Sequence, residues 1–408
     1  MIKGIYDRTK KKGESGRKPR YKRMNNDKIG STALRICEIA IFVGAALTCI
    51  SCLFGRDVFT IFNNLSSVTA ILLLVPLSII FRKRLLKNKV ELCVIFGFIL
   101  LSVALSIFVS GLNISHALTA GIGILTLYVM SFLPSKRDFQ ISMIFFLSIM
   151  SVCLFFLAID YSQMTLVEKY NYTNSNVMGI VALLVNAYLM TMISMNGIKG
   201  KFIHLNVIVA VFAFTTITVF GCRSAQLAFF VFLIVAYVIP SRFWGRKRSR
   251  IAIIGAMVIG LVFPLVYLKM SEIGFDNIAF PLVNKPWFSG RDDLWSQGLN
   301  WLKETPSALL YGIGPNFSDI TPDFNYHNSY VSILLNFGTP AFGAYYFSVE
   351  RSAERAVLAG EDRRIRALQL ALISMIMVVS LVETTIPATT FIWLYGICFI
   401  PLKKYSEN

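Results

Sequence analysis

The stretch Ile251–Leu268 reads IAIIGAMVIGLVFPLVYL, eighteen residues with no charge and no amide side chain. As a helix it extends about 27 Å at ~1.5 Å per residue, close to the ~30 Å hydrocarbon core of a bilayer. Lipid offers no partner for backbone N–H and C=O groups, so such a block must bond its own backbone as a helix. Leu65–Ile80 and Leu92–Val109 are charge-free in the same way. The whole chain agrees: 55% of its 408 residues are hydrophobic and only 15% are charged, where a soluble domain carries about 25% charge. The expected architecture is one all-α polytopic membrane domain.

Apolar blocks at 33–54, 58–81, 90–109, 112–133, 139–159, 177–195, 202–221, 224–239, 251–269, 329–348, 367–382 and 386–402 predict about twelve crossings. Numbered along the chain, they divide the lysines and arginines very unevenly. One side receives the N-terminal tail, the Arg82–Lys89, Arg242–Arg250 and Arg351–Arg366 clusters, Lys136 and Arg137, Lys199 and Lys201, and Lys403 and Lys404, 33 of the 40 in all. Basic loops stay cytoplasmic, so both termini are expected inside the bacterial inner membrane. The net charge of +18 then reflects topology and attraction to anionic lipid, not nucleic acid. Residues 1–32 read as a disordered basic tail and 403–408 as a short second one. Helices one to nine fill 33–270, and helices ten to twelve fill 328–402.

The seven cysteines are odd in number and lie in or beside spans. The CxxC spacing of Cys49 and Cys52 falls inside an apolar helix, where small packing residues explain it better than a redox pair. No disulfide framework is expected.

Two outward segments stand out among short connections. Asp160–Asn176 includes the polar, aromatic run YNYTNSN. The larger, 271–327, lies between helices nine and ten, and an ordered loop of that length is usually functional. Within it Asp292–Thr305 predicts a helix with Leu294, Gly298, Trp301 and Leu302 on one face, stopped by Pro306. Arg291 sits at its start, where the helix dipole disfavours a cation, which suggests an anion to be bound nearby. Tyr311–Asn316 reads as a turn.

The residues able to do chemistry are few. His116 and His204 lie at the ends of apolar spans. His327 lies in the outward loop at the start of a membrane helix, which favours the neutral, proton-accepting imidazole; it reads equally as a helix-capping residue. Arg223 sits in the tight hairpin Phe220–Ser224 on the side poor in basic residues. Facing a polar cavity it suits phosphate oxygens; facing lipid it would snorkel to the headgroups. The acidic candidates are Asp160, Glu168, Asp276, Asp292, Asp293, Glu304, Asp319, Asp323 and Glu383, with no DxD pair and no metal-ligand spacing. No metal and no cofactor is expected. Two arginines and a neutral histidine would suit a diphosphate leaving group and a hydroxyl nucleophile.

Three ordered segments carry a family resemblance: Cys222-Arg223-Ser224 in an outer hairpin; Gly290-Arg291-Asp292-Asp293-Leu294-Trp295 followed by Gly312-Ile313-Gly314; and His327-Asn328 with Gly338 ten residues beyond the asparagine. Over roughly 202–350 the chain resembles the O-antigen ligase/polymerase superfamily of membrane glycosyltransferases. Ala341 departs from the small or hydroxyl residue usual three beyond the glycine. The resemblance implies a donor glycan on undecaprenyl diphosphate, attacked at its anomeric carbon by a hydroxyl of a glycan or lipid acceptor. It implies that Arg223 and Arg291 bind the diphosphate and that His327 orients or deprotonates the hydroxyl. Asn328, Trp295, Tyr326 and Ser224 would contact substrate, with Trp295 and Tyr326 either stacking on sugars or, equally, serving as interfacial anchors. Polymerisation of surface-polysaccharide repeats is the expected outcome; ligation of finished glycan to a lipid, wall or protein acceptor is the alternative. A transporter or flippase is the rival from another class, but major facilitators place their long connection inside, between two halves.

Overall fold

The computed structural model describes residues 28–54, scattered positions between 58 and 80, then 82–108, 114–134, 136–172, 174–196, 203–274, 279–280, 285–286, 291–312, 327–360, 362–383 and 391–403. It is helical almost throughout. In chain order the helices are α1 Lys28–Ser51, α2 Arg82–Lys87, α3 Lys89–Phe108, α4 Ile114–Met130, α5 Arg137–Gln163, α6 Leu166–Tyr170, α7 Ser175–Asn196 and α8 Ile203–Val219. There follow α9 Arg223–Leu233, α10 Arg246–Glu272, α11 Arg291–Glu304, α12 Ala308–Tyr311, α13 Ser329–Leu358, α14 Arg363–Val382 and α15 Ile392–Phe399. A two-residue antiparallel pair, Ala279–Phe280 with Lys285–Pro286, adds β structure to the large loop that the sequence does not signal.

Helix runs through most of each expected apolar stretch except two: 58–81 is described only at scattered positions, and in 386–402 residues 386–390 lie outside the described residues and the helix is Ile392–Phe399. Among the described residues five helices are long and apolar enough to cross a membrane: α1 (from Leu34), α5, α7, α10 and α14. Helix α9 is lengthened by a π turn at Ile234–Val238, whose wider winding carries it to residue 238.

Burial separates an inner layer from an outer one. The apolar windows of α7 and α14 are 94% and 89% buried, whereas those of α5 and α10 are 39% and 28% buried. Helices apolar all round and enclosed by protein form the centre of a bundle; those apolar and open face the lipid. Phe145, Phe156, Ile259 and Leu265 are among the large side chains left on that open face.

Helix α13 is the element that the sequence read most incompletely. A plain span is expected at 329–348, but the helix runs on to Leu358 and breaks at Gly338, which has φ +78°. Pro340 follows, lacking an N–H to continue the ladder and set for a new helical start. The first segment of α13 carries the return from the 271–327 loop, and the second carries the basic end. Arg246–Arg250 and Arg363–Arg366 lie at the ends of α10 and α14 that match this basic end. Charge is thus segregated along the bundle, and the opposite end holds the remaining candidates for chemistry.

Candidate functional site

Four helix N-termini meet one helix C-terminus at that opposite end. Glu383 caps the C-terminus of α14, where a negative side chain is disfavoured by the dipole. Its carboxylate is held from three sides. Arg291, first residue of α11, places Nη2 2.7 Å from Oε1. His327, just ahead of α13, places Nδ1 3.0 Å from Oε2. Asn176, in the first turn of α7, donates from Nδ2 to Oε1 at 3.3 Å. The fourth N-terminus is that of α9, which opens at Arg223. Arg223 feels the charges of both Arg291 and Glu383.

Local sequence explains each arm. The hairpin before Arg223 turns at Gly221, φ +66°, and is tied by Gln226 Nε2 donating to Thr218 Oγ1 at 2.9 Å. Gly179 of α7 lies against Cys222 so closely that a Cβ there would overlap the cysteine side chain. The start of α13 is stapled to the end of α14 by two buried side chains. Asn328 Nδ2 donates to the Leu381 carbonyl at 2.8 Å, and Ser329 Oγ donates to the Glu383 carbonyl at 3.1 Å. Asn328 Oδ1 also accepts from the Val331 N–H, a true N-cap.

Between these staples and the carboxylate, His327 is bent into the left-handed region at φ +46°, alone among the described non-glycine residues. Backbone of this kind costs about 1–2 kcal/mol outside glycine and concentrates at functional sites. Its side chain stays one-third exposed. A carboxylate paired with a guanidinium offers only acceptors, so Nδ1 donates to Glu383; in the neutral ring this makes Nε2 the nitrogen that can take a proton.

Arg223 is electrostatically the odd member. Its Nη1 is buried with no hydrogen-bond partner among the described residues. Burial lowers its guanidinium from the ordinary value, and the neighbouring Arg291 charge lowers it further. A buried charged donor left unmatched costs more than the ~1–3 kcal/mol of a neutral one. Two guanidiniums and four helix N-termini set against a single carboxylate leave the site positive, suited to a further anion. Cys222 takes no part as a thiolate: burial first, then the Glu383 charge, push its thiol up to about 11.

The candidates named from sequence are distributed unevenly. Arg223, Arg291 and His327 come together. Arg291 is paired with the chain's own Glu383, a partner that accounts for its position without a bound anion. Trp295 is fully buried, edge-on to Tyr267 at 4.7 Å between centroids and packed with Leu335, so it anchors α11 and presents no open face to a sugar. Asn328 is fully buried in its staple, and Ser224 is buried with Oγ 3.2 Å from Cys222 Sγ. Both shape the site from behind. Tyr326, Asp276, Asp319, Asp323 and the side chains of His116 and Asp292 lie outside the described residues. Asn176 is the residue that sequence reasoning missed, and Glu383 stood among the acidic candidates without a role. Among the described residues no three His, Cys, Asp or Glu side chains gather as metal ligands.

Beside the charged cluster an apolar groove of about 140 Å³ runs between α10, α11 and the first segment of α13. Leu261, Leu265, Leu299, Leu302, Val331 and Leu334 line it. Two of these, Leu261 and Leu265, are on the exposed face of α10, so the groove is open toward lipid.

Residues 208–346 match the family model described as O-antigen ligase. The matched segment contains Arg223, Arg291, His327 and Gly338; Asn176 and Glu383 lie on either side of it. No curated protein matches the chain.

Proposed function

We propose that the chain, a member of the O-antigen ligase/polymerase superfamily through residues 208–346, performs metal-independent glycosyl transfer at the outer face of the cytoplasmic membrane. Membership implies a membrane glycosyltransferase using lipid-linked glycans. The finer reading is that the donor is an oligosaccharide on undecaprenyl diphosphate and that the reaction polymerises repeat units of a surface polysaccharide. About twelve crossings with both termini inside complete the proposal, since that topology puts the site outside.

The observation that carries this reading is the convergence of Arg223, Arg291 and His327, from three separate elements, around Glu383. Arg223 brings an unmatched buried Nη1, and Arg291 uses only Nη2 on Glu383, so both retain donors for phosphate oxygens. His327 takes the proton of the acceptor hydroxyl at Nε2 as that oxygen bonds to the anomeric carbon. The bond from the anomeric carbon to the diphosphate breaks, and its electron pair leaves with the diphosphate, held by the two guanidiniums. Glu383 stabilises the imidazolium formed and keeps the ring in the tautomer whose Nε2 carries no proton, as the buried carboxylate of a hydrolytic triad does. The neighbouring apolar groove suits the first isoprene units of the carrier.

Single alanine substitutions at Arg223, Arg291 and His327, scored for surface-glycan length at matched membrane levels, test the reading. Loss of long glycan in all three supports it. Accumulation of single lipid-linked repeats then indicates a polymerase, and accumulation of full-length lipid-linked chains indicates a ligase. Normal glycan in all three removes the site and favours a transporter.

A further inference from the structure

The outward segment before α7 has no role in the account above, yet its last residues reach the centre of the site. It is an ordered piece of chain. Thr165 and Glu168 form a reciprocal capping box, with Glu168 Oε2 accepting from the Thr165 N–H at 2.7 Å. Lys169 Nζ lies 5.0 Å over the Tyr161 ring. Asn174 Oδ1 then accepts from the Asn176 N–H at 2.9 Å, and the Asn176 carbonyl accepts from Cys222 Sγ at 3.5 Å. With its backbone fixed on both sides, Asn176 directs its amide Nδ2 at Glu383 Oε1, the same oxygen that Arg291 holds.

We propose that Asn176 is a further positioning residue of the transfer site: it fixes Oε1 of Glu383, so that Oε2 stays aligned on His327 while Arg291 keeps donors available to the donor diphosphate. The proposal rests on the glycosyl-transfer reading. Its physical basis is the geometry of a carboxylate shared by three donors. A carboxylate held only by Arg291 and His327 can rotate to take Arg291 in a two-pronged grip, which would break the bond from His327 Nδ1 and occupy the arginine. A neutral donor on Oε1 opposes that rotation without adding charge. An amide does this, whereas a second cation would over-stabilise the carboxylate and a second carboxylate would repel it.

The charged and titratable groups around Glu383 are Arg291 from α11, His327 from the start of α13, and Arg223 with Cys222 from the start of α9. This set makes Asn176→Asp the informative change. Aspartate is welcome in the first turn of a helix, so a residue that merely starts α7 would tolerate it. Beside Glu383 it creates two carboxylates in hydrogen-bond contact, which must share a proton. With the proton present, the introduced carboxyl group donates to Oε1 as the amide did; once it is lost, the two charges repel and Glu383 leaves its alignment.

The experiment measures turnover of the purified full chain with undecaprenyl-diphosphate-linked glycan extracted from the source cells, at several pH values, for Asn176→Asp, Asn176→Ala and His327→Ala, with thermal unfolding alongside. Asn176→Asp is expected to keep the unfolding temperature and to lose rate relative to the unsubstituted chain by about tenfold across the two pH units that span the loss of the shared proton. Asn176→Ala is expected to fall by about threefold to tenfold at every pH, the value of one neutral hydrogen bond. If Asn176→Asp tracks the unsubstituted chain across pH while His327→Ala is inactive, the positioning role of Asn176 is refuted and the transfer site stands. If His327→Ala also turns over normally, both fall.

Discussion

Gly312 and Gly338 lie backbone to backbone. A Cβ on Gly338 would meet the carbonyl of Leu310, and one on Gly312 would meet the carbonyl of Asn336, each well inside contact distance. Both have positive φ, +86° and +78°. The contact docks α12, the end of the described helical part of the large loop, onto the break in α13. Ser102 Oγ, donating to the Phe337 carbonyl at 3.0 Å, brings α3 to the same point. The loop that presents Arg291 and the helix that presents His327 are therefore clamped together some distance from either residue.

Alanine at Gly312 or Gly338 is expected to destabilise by about 1–3 kcal/mol from backbone strain alone, with overlap added. Because the two changes disrupt one contact, the double variant should cost at least about 0.5 kcal/mol less than the sum of the singles. Thermal unfolding of the detergent-solubilised chain, read as a double-mutant cycle, measures this. Strictly additive losses would mean that the two glycines act separately.

Removing the Glu383 carboxylate should be as damaging as removing His327. Glu383→Ala lets the imidazole adopt either tautomer and leaves the positive charges of Arg291 and Arg223 uncompensated, so transfer should fall by about 10²- to 10⁴-fold, the worth of a positioned proton acceptor. Glu383→Asp keeps the charge on a shorter arm and should recover part of the rate. Initial rates on lipid-linked donor distinguish these from a variant that fails to reach the membrane, and a fully active Glu383→Ala would remove the carboxylate from the mechanism.

Arg223→Lys keeps the charge but loses the planar fork that meets two phosphate oxygens at once. The expected result is a donor KM raised about tenfold, the equivalent of one charge-assisted hydrogen bond. Acceptor KM should be unchanged. A rise in acceptor KM instead would move Arg223 to the other substrate.

The basic end of the bundle provides a control far from the chemistry. There Arg355 Nη2 meets Glu91 Oε2 at 2.6 Å, Nη1 donates to Ser131 Oγ at 2.6 Å, and the guanidinium lies 3.7 Å from the Phe132 ring centre. Arg355→Ala leaves Glu91 half-buried and without its cation and should cost about 1–3 kcal/mol of stability. Donor and acceptor KM, measured at a temperature where the variant is folded, should not change.

The sequence carried the helices and the positive members of the site more clearly than the rest. Charge-free blocks leave helix as the sole outcome in lipid, and Arg223 and Arg291 were conspicuous because cations are scarce at their end of the bundle. Glu383 stood among the acidic candidates without a role. It lies 56 residues beyond His327, and nothing local shows that the end of α14 returns to the start of α13. Asn176 was hidden for the same reason, inside a loop that read as generically polar. For Trp295 the residue type allows stacking on a sugar or anchoring at the interface, and its packing against Tyr267 and Leu335 becomes visible only in the fold. Asn328 borrowed apparent importance from its neighbour His327, although its amide is spent on the Leu381 carbonyl. The break at Gly338 was visible as a glycine and a nearby proline, but its partner, Gly312, lies across the loop.

Glu383 is also the last of the five site residues to leave the ribosome, after Asn176, Arg223, Arg291 and His327. Until α14 has been threaded through the bundle, the two arginines have no internal counterion and His327 lacks the carboxylate that sets its tautomer. The nascent protein can therefore hold four of the five groups without the carboxylate that joins them. The ring is complete only when α14, the last of the five long apolar helices among the described residues, packs into place.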